Sequence, residues 1–365
     1  MKVSYSYLKE QFANPDAILA DVKKLVLSGD FTLGNALEEF EKSLAEFLGS
    51  KFAVGVGTGT DALRLSLIAA GVKPGDEVIT AVNTFYSTAA AIATVGAKPV
   101  FVDVTDDLLM DVSLIEKVIT KKTKAIIPVH LHGTPVDMKK IIAIAEAHKL
   151  VVIEDSCQSL GAEVHGKKAG TFGLTGCFSL HPLKPLNVWG DAGVVVTDSE
   201  TVRDRLHLLR DNGLKNRDEC EEYAFNCRMD TLQAVVGNHL IKDLDKILDA
   251  KIENSKYYDK EFVSVKQIRI PPREKDVKRV YHNYVLIVED RDKILVFLRE
   301  KGISAKIHYP IPLHLQKASK YLSYKKGDFP VAEEQTEKII SLPVHQHLTQ
   351  EQKEFVVKTV KEFYK

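Results

Sequence analysis

Short apolar runs that alternate with helical segments constrain the fold of this chain more than any other feature. Between residues 52 and 154, each apolar run is followed by a stretch in which apolar residues recur at helical spacing. The predicted strands are 52–56, 77–81, 99–103, 123–129 and 150–154, and the predicted helices between them are 61–70, 87–95, 113–119 and 138–148. Continuous apolar strands separated by helices are typical of a parallel sheet covered on both faces. We therefore predict an α/β fold with a mostly parallel central sheet and helices on both faces.

The segments outside this alternation predict a division into two domains. Helices are expected at 16–27 and 35–48 ahead of the sheet, and at 199–209 and 230–246 after it. From about residue 249 the pattern changes to strands at 267–270, 284–288 and 304–307, with helices at 292–301, 332–340 and 349–363. This mixture is typical of an α+β lobe. We predict a large domain over residues 1–248 and a smaller C-terminal domain over residues 249–365.

Composition argues against several functional classes. The 365 residues include 50 Lys plus Arg and 50 Asp plus Glu, a balance that does not favour binding to nucleic acid or a membrane. The four cysteines form no CxxC pair and no zinc spacing with histidine, so we expect free thiols, a reducing compartment and no metal. The sequence begins without signal-peptide features and has no apolar stretch near the roughly twenty residues of a membrane span. These features predict a cytoplasmic protein.

The first predicted strand leads into its helix through GVGTGTD at residues 55–61, a turn with three glycines and two threonines. Ligands of α/β sheets bind beyond the carboxyl ends of the strands, so such junctions are candidate sites. Glycine lets backbone N–H groups approach a ligand and a helix N-terminus favours an anion, so phosphate suits this turn. An ordinary tight turn with a threonine cap explains the same residues equally well. The turn lacks both the GxGxxG spacing and the Gly-Lys-Ser/Thr of a P-loop.

Three further junctions carry unusual chemistry. Phe85 and Tyr86 follow the second strand, where a ring either stacks on a planar ligand or packs in the core. Asp155 ends an apolar strand, and its carboxylate either faces a cationic or hydrogen-bonding ligand or caps the next turn. Lys184 lies in the apolar loop Leu-Lys-Pro-Leu. Its ammonium either extends to water or has a pKa lowered by burial, in which case the amine can form a Schiff base.

One cofactor requires all four features together. Pyridoxal 5′-phosphate (PLP) needs a phosphate site, a surface that stacks on its ring, a carboxylate beside its pyridinium nitrogen and a lysine amine. Each junction alone has an ordinary structural explanation, but the combination is much more specific. The residues therefore predict a PLP enzyme.

Seven segments carry a resemblance to a known family. They are GVGTGTDALRLSL at 55–67, GDEVITAVNTFYSTAAAI at 75–92, PVHLHGTPVDM at 128–138, VVIEDSCQSLGA at 151–162, CFSLHPLKPLNVWGDAGVVVT at 177–197, YAFNCRMDTLQAVVG at 223–237 and GISAKIHYPIPLHLQ at 302–316. In this order they resemble the DegT/DnrJ/EryC1/StrS family of sugar aminotransferases, which belongs to the fold-type I, aspartate-aminotransferase-like PLP enzymes. The resemblance covers nearly the whole chain.

The resemblance implies a role for each matched residue. Lys184 would hold PLP as a Schiff base, an internal aldimine, and then carry a proton to and from the substrate carbon, while Asp155 would pair with the pyridinium nitrogen. Phe85 would stack on the ring, and Gln158 would lie near the phenolic oxygen. Asn226 would reach the phosphate of the neighbouring subunit's cofactor, which implies a homodimer with shared active sites. The phosphate would be bound by Gly59, Thr60 and Ser179.

The implied function is transfer of an amino group from L-glutamate, or glutamine, to a keto carbon of a nucleotide-linked deoxysugar. His308 and Tyr309 are candidate residues at the sugar entrance, although His-Tyr-Pro also predicts a simple turn. Two alternatives stay open: a cyclitol ketone as the substrate, and a PLP-binding regulator without turnover. The chain departs from the Lys-Asn-Leu that family members often have, because Pro185 follows Lys184. Proline lacks a backbone N–H and has a fixed φ angle, so Pro185 affects the position of the Lys184 side chain relative to the cofactor.

Overall fold

A seven-stranded sheet forms the centre of the computed structural model, which describes residues 1–365. Its strands lie side by side in the order Phe52–Val56, Gly193–Thr197, Thr175–Ser179, Val151–Asp155, Thr123–Ile127, Glu77–Ala81 and Lys98–Val102. Only Gly193–Thr197 runs antiparallel to its neighbours. The predicted mostly parallel sheet is confirmed, and the five predicted strands lie within one or two residues of their predicted bounds.

The alternation of strand and helix does not predict the strands Thr175–Ser179 and Gly193–Thr197. They pair antiparallel and are joined by a loop, not by a helix. Lys184 lies in this loop. The parallel strands all end at the same edge of the sheet, so the residues that follow Val56, Ala81 and Asp155 come close to this loop. The predicted junctions therefore meet at one edge.

Helices cover both faces of the sheet. Phe40 and Leu44 pack with Val194 on one face, while Leu63 packs with Val195 on the other, as the alternation of side chains along a strand requires. The helices of this part are Asp16–Ser28, Asn35–Leu48, Gly59–Ala69, Tyr86–Thr94, Met138–His148, Glu200–Arg210 and Thr231–Leu240. No helix of the chain combines the length and the apolar character that a bilayer span requires.

Two predicted helices of this part differ from the structure. The segment predicted at 113–119 is a 3₁₀ turn, Val112–Leu114, followed by one helical turn, Ile115–Val118. It ends because Ile119 has extended backbone angles. The helix predicted at 230–246 is divided at the 3₁₀ turn Ile241–Asp243, after which Leu244–Phe262 continues for 19 residues. The predicted domain boundary at residue 248 falls inside this last helix, and the division into domains remains a prediction.

The C-terminal region contains a three-stranded antiparallel sheet in the order Ile268–Arg269, Tyr284–Val288 and Ile339–Leu342. The predicted strand at 304–307 is wrong, because only Lys306 pairs there, through an isolated bridge to Ser341. The predicted helix at 332–340 ends at Lys338. The apolar residues after it are buried against Tyr284–Val288, so tertiary packing makes them a strand. The helices here are Arg291–Glu300, Pro330–Lys338 and Gln350–Phe363.

The first residues of the chain pack against the C-terminal region instead of the large sheet. Val3 is fully buried, pairs with Ile303 and belongs to the apolar cluster that contains Tyr284. Tyr5 donates a hydrogen bond from its hydroxyl to Asn283 Oδ1 at 2.6 Å. This segment then leads to the short helix Leu8–Gln11. A small sheet of Val277–Lys278, Glu163–Val164 and Lys167–Lys168 also joins the two parts of the chain.

Candidate active site

The glycine turn forms the N-terminus of the helix Gly59–Ala69. Thr58 caps this helix, since its hydroxyl accepts the Asp61 N–H at 2.9 Å and also contacts the Asp61 carboxylate at 2.9 Å. First-turn N–H groups of a helix lack partners within the helix and favour an anion. The turn therefore has both the predicted threonine cap and N–H groups that are free of helical hydrogen bonds.

Gly59 is buried where the turn meets the end of the strand Thr175–Ser179. A Cβ atom added at Gly59 would lie 2.8 Å from Ser179 Cβ and 2.9 Å from Cys157 Sγ, so a larger residue does not fit. This close approach brings Gly59 and Ser179, two of the predicted phosphate residues, together. Thr60, the third, is the next residue of the same helical turn.

Asp155 has a buried carboxylate with two hydrogen-bond donors and no basic partner. Thr88 Oγ1 donates to Asp155 Oδ2 at 2.7 Å, and the Cys157 N–H donates to Oδ1 at 3.2 Å. The side chain of Asp155 forms no ion pair with a lysine, arginine or histidine, and the residue is 6% exposed. A buried carboxylate in these surroundings suits a cationic ligand.

Sequence reasoning missed Thr88, which positions this carboxylate. Thr88 lies in the first turn of the helix Tyr86–Thr94 and is itself 3.2 Å from the hydroxyl of Thr84. The sequence feature that could have indicated Thr88 is that Thr84 and Thr88 flank the two aromatic residues after the second strand. Nothing in that spacing shows that Thr88 faces Asp155, because the contact joins residues 67 positions apart.

Glu154, one residue before Asp155, is directed into the protein core. Its Oε1 accepts the N–H groups of Phe172 at 2.6 Å and Gly173 at 2.7 Å, and its Oε2 accepts that of Gly170 at 2.8 Å. His130 Nε2 lies 2.9 Å from Oε2, and His130 Nδ1 accepts the Val136 N–H, so Nε2 carries the hydrogen. The carboxylate of Glu154 thus stabilises two loops and has no free acceptor directed at the site.

Gln158 links the site to the C-terminal region. Its Oε1 accepts the His132 N–H at 2.9 Å, and its Nε2 donates to the Tyr309 hydroxyl at 3.1 Å. The ring of Phe85 lies with its centroid 5.6 Å from that of Tyr309, and Phe85 is 36% exposed. Phe85, Gln158 and Tyr309 therefore form one group, in which the partly exposed ring of Phe85 also contacts the ring of Tyr86, with 3.9 Å between the centroids.

Lys184 lies in a loop whose backbone is well fixed. The Lys184 N–H donates to the His181 carbonyl at 2.8 Å, and the Tyr7 hydroxyl donates to the Lys184 carbonyl at 3.0 Å. Asn187 Nδ2 closes the loop by donating to the Pro182 carbonyl at 2.6 Å. None of these bonds needs the N–H that Pro185 lacks, so the proline is compatible with the loop.

The amine of Lys184 is electrostatically coupled to the rest of the site. The side chain is half-buried, and burial lowers the pKa of Lys184 below its usual range, while the acidic groups of Cys157 and Asp155 oppose that shift. A lowered pKa increases the fraction of neutral amine, which is the nucleophilic form. The surface alternative, an ammonium extended into water, does not describe this residue.

The remaining predicted residues lie at the border of the site. His308 Nδ1 is 2.9 Å from Ser341 Oγ, and burial, with the charges of Lys306 and Lys184, lowers the pKa of His308 to about 4. Asn226 is exposed, and the next residue, Cys227, accepts the Gly57 N–H through its carbonyl at 2.7 Å. Asn226 therefore lies beside the glycine turn, with its side chain directed to solvent.

These groups fit PLP residue by residue. The close approach at Gly59 leaves a helix N-terminus and the Ser179 hydroxyl for a phosphate, and Asp155 offers an unpaired carboxylate for a pyridinium nitrogen. Phe85 offers an aromatic face, and Lys184 offers an amine of lowered pKa. The sheet topology and this set of groups define the class: a fold-type I PLP-dependent transferase.

Residues 14–361 match the family model of the DegT/DnrJ/EryC1/StrS aminotransferase family, and the chain belongs to this family. A pleiotropic regulatory protein of Geobacillus stearothermophilus is 37% identical over 100% of this chain and 99% of its own length. The UDP-N-acetyl-3-dehydro-α-D-glucosamine 3-aminotransferase of Acidithiobacillus ferrooxidans is 38% identical over 92% of this chain and 91% of its own.

Solved structures agree with this assignment. The crystal structure of Streptomyces venezuelae DesV with a ketimine intermediate has a TM-score of 0.97 and 34% identity, and covers 100% of this chain and 99% of that one. Other similar structures were solved with PLP or its amine form bound. The protein is a PLP-dependent aminotransferase, which confirms the predicted family, fold and cofactor.

Proposed function

We propose that the enzyme transfers an amino group from L-glutamate, or glutamine, to a keto carbon of a nucleotide-linked deoxysugar. The observation that carries the proposal is the position of Lys184, a half-buried amine with a lowered pKa, at the same sheet edge as the unpaired carboxylate of Asp155. The substrate class is supported by relatives that match 92–100% of the chain and whose names specify UDP- or dTDP-linked sugars.

Lys184 and Asp155 would carry the chemistry. PLP, when bound, supplies an electron sink that is conjugated with the carbon whose amine is transferred. Lys184 Nζ would hold the cofactor, take the proton from the donor's α-carbon and later return a proton to the sugar carbon. Asp155, fixed by Thr88, would keep the pyridinium nitrogen protonated.

Other side chains would orient the cofactor. Gly59, Thr60 and Ser179 would bind the phosphate, which the helix N-terminus favours. Phe85 would stack on the ring. Gln158 would lie beside the phenolic oxygen, with its amide orientation set by the His132 N–H and the Tyr309 hydroxyl.

The substrate entrance and the partner subunit complete the proposal. His308 and Tyr309 would contact the sugar, since Tyr309 accepts a hydrogen bond from Gln158 and the charge of Lys184 lowers the pKa of His308. Asn226 would reach the phosphate in the neighbouring subunit of a homodimer, which its exposed position beside the glycine turn allows. The four free cysteines support a reducing, cytoplasmic compartment for this reaction.

A regulator without turnover is the second candidate, because the Geobacillus relative is named as a regulatory protein. The coupled positions of Lys184 and Asp155 favour catalysis, since a regulator needs the cofactor's shape but no proton transfer. A cyclitol ketone in place of the sugar would use the same site residues and differ only at the substrate entrance.

The test is to load the purified protein with PLP, add L-glutamate and follow the visible absorption band of lysine-bound cofactor. Loss of that band, followed by turnover with one of a panel of dTDP-, UDP- and GDP-linked 3- and 4-keto sugars, is expected. Turnover of inosose alone would indicate the cyclitol reaction, and an unchanged band with every donor would indicate a regulator.

The Lys184→Ala variant is the control for the lysine assignment. It should lose the band and reduce turnover by more than about 10⁴-fold, because it removes both the covalent anchor and the proton carrier. A Lys184→Ala protein that kept the same band would contradict the role of Lys184.

A further inference from the structure

A small cavity of about 50 Å³ lies against the loop that contains Lys184. Apart from His308, a candidate at the sugar entrance, no residue assigned above to the site lines it. The N-terminal segment, the lysine loop, the long helix Leu244–Phe262 and the C-terminal region all contribute to its wall. No aspartate or glutamate lines it, and its main polar residues are Tyr7, Lys251, His282, His308 and His345.

Lys251 is the most unusual residue of this wall. It lies in the middle of the helix Leu244–Phe262 and is 2% exposed, yet its amine forms no ion pair and no hydrogen bond with the protein. A buried ammonium without a partner is costly, and lysine is almost never fully buried unless it is paired. The side chain therefore has an unmet need for an anion or a hydrogen-bond acceptor at the cavity.

Two histidines on the same wall are also incompletely paired. His345 is buried, and its Nε2 lies 3.1 Å from the Ser4 carbonyl, while its Nδ1 has no partner. The Nδ1 atom of His282 has none either. Buried polar groups in folded proteins nearly always have partners, so these atoms indicate that a ligand or water completes the cavity.

The cavity is directly connected to the reacting lysine through Tyr7. The Tyr7 hydroxyl donates to the Lys184 carbonyl at 3.0 Å, and the amine of Lys251 lies 5.9 Å from the centroid of the Tyr7 ring. Leu183, which precedes Lys184, also lines the cavity. The charge of Lys184 also lowers the pKa values of Lys251, His282 and His308, so a group bound here would lie within electrostatic range of the Lys184 amine.

We propose that this cavity binds a carboxylate of the amino donor, with Lys251 as the opposite charge. The inference rests on the proposed function, since it assigns a place to the donor in that reaction. The volume suits a carboxylate group and is too small for a sugar or a nucleotide. A cation without any acidic neighbour in the wall favours an anion, and the position against the loop that contains Lys184 favours a molecule that reacts at this site.

The titration of the cavity supports the assignment and provides a test. Burial, followed by the charge of Lys184, lowers the pKa of Lys251 to about 7. Burial also lowers the pKa values of His308 and His345 to about 4 and that of His282 well below its usual range. It raises those of Tyr5 and Tyr7 far above neutrality. Lys251 is thus the group of this wall whose pKa lies near neutral pH.

The binding probe is 2-oxoglutarate, titrated calorimetrically into the PLP-loaded enzyme from about pH 6 to pH 9. Affinity of the wild type should fall about tenfold per pH unit above about 7, because one proton on Lys251 is needed for binding. Lys251→Met should bind about 30-fold more weakly at neutral pH and show no such slope. Lys251→Arg should keep affinity within about threefold and show a flat profile, because arginine stays charged.

Lys260→Met is the matched control, since Lys260 is exposed on the same helix. It should bind like the wild type at every pH. Retention of the cofactor band and of the melting temperature establishes that the Lys251 variants are folded. If Lys251→Met does not fold, the flat profile of Lys251→Arg tests the proposal by itself.

The proposal would be overturned if Lys251→Met bound 2-oxoglutarate with the affinity and pH dependence of the wild type. It would also be overturned if the affinity of Lys251→Arg fell with pH as steeply as that of the wild type. Either result would mean that the cavity holds ordered water only. Separate half-reactions identify the molecule that supplies the carboxylate. Lys251→Met should raise the L-glutamate concentration needed for loss of the band and leave the keto-sugar half-reaction unchanged. The reverse result would refute the donor assignment, whereas a wild type that never responds to amino donors would refute the proposed function itself.

Discussion

Glu154 and Asp155 are adjacent carboxylates at the end of one strand, and their surroundings are opposite. Glu154 accepts hydrogen bonds from three backbone N–H groups and from His130, and it is completely buried. Asp155 accepts one hydroxyl and one N–H, and no basic side chain of the chain pairs with it. Alternation along a strand directs neighbouring side chains to opposite sides, so one carboxylate enters the core and the other enters the site.

The different hydrogen bonding of Glu154 and Asp155 gives one carboxylate a structural role and the other a chemical role. A carboxylate whose acceptor positions are filled by the protein contributes to stability and has nothing left to offer a ligand. A carboxylate held by a few donors keeps its geometry and still has a charge to balance. The comparison therefore predicts that changes at Asp155 affect activity, whereas changes at Glu154 affect stability.

Asp155→Asn should have the largest effect. An amide cannot keep the pyridinium nitrogen protonated, so kcat should fall by about 10³-fold, as for other preorganised electrostatic groups. The free energy of unfolding of the cofactor-free protein should change by less than about 1 kcal/mol, because the amide retains an acceptor for Thr88. Steady-state kinetics and urea unfolding measure the two effects. Wild-type kcat in the Asp155→Asn variant would break the comparison.

Glu154→Gln should have the opposite profile. The new NH₂ group would face a backbone N–H group or the His130 N–H, and one buried donor would lose its partner. The free energy of unfolding should fall by about 2 kcal/mol, in the range for one buried donor left without a partner. The kcat of the folded fraction should stay within about threefold of the wild type. Unchanged stability together with lost activity would exchange the roles assigned to the two carboxylates.

Thr88→Val should have the smallest effect of the three substitutions, and it tests whether the position of the Asp155 carboxylate matters for activity. It removes the hydroxyl that fixes Asp155 while keeping the shape of the side chain, so kcat should fall by about tenfold. Thr88→Ser should restore most of the loss, whereas Thr94→Val, an exposed change on the same helix, should have no effect. A merely structural role for Thr88 would instead lower the melting temperature and leave the pH profile of kcat unchanged.

Sequence patterns were sufficient for the part of the fold and site that depends on local order. The five strands and most helices follow from apolar periodicity, and the strand ends gather Gly59, Asp155 and Lys184 because parallel strands share an edge. The strand Ile339–Leu342 was missed, since only its pairing with Tyr284–Val288 distinguishes it from the end of a helix.

Contacts between distant residues account for what the sequence could not predict. Val151–Asp155 predicts two carboxylates at a strand end, but not which one enters the core. The partners that decide this are Thr88 for Asp155 and the turn at Gly170–Gly173 for Glu154. Lys251 likewise occurs in an ordinary helical pattern, and its burial depends on distant segments, among them the N-terminal residues Tyr5 and Tyr7 and the C-terminal residues Val344 and His345.

The pairing of Val3 with Ile303 has a consequence for biosynthesis. Tyr5 and its partner Asn283 are 278 positions apart, and ribosomes add about 5–20 residues per second, so the segment waits roughly 15–60 s for its partner. We expect Val3 to lack its partner Ile303 during that interval. The Tyr7 hydroxyl that donates to the Lys184 carbonyl lies only two residues after Tyr5, so we expect the nascent chain to complete its lysine loop late.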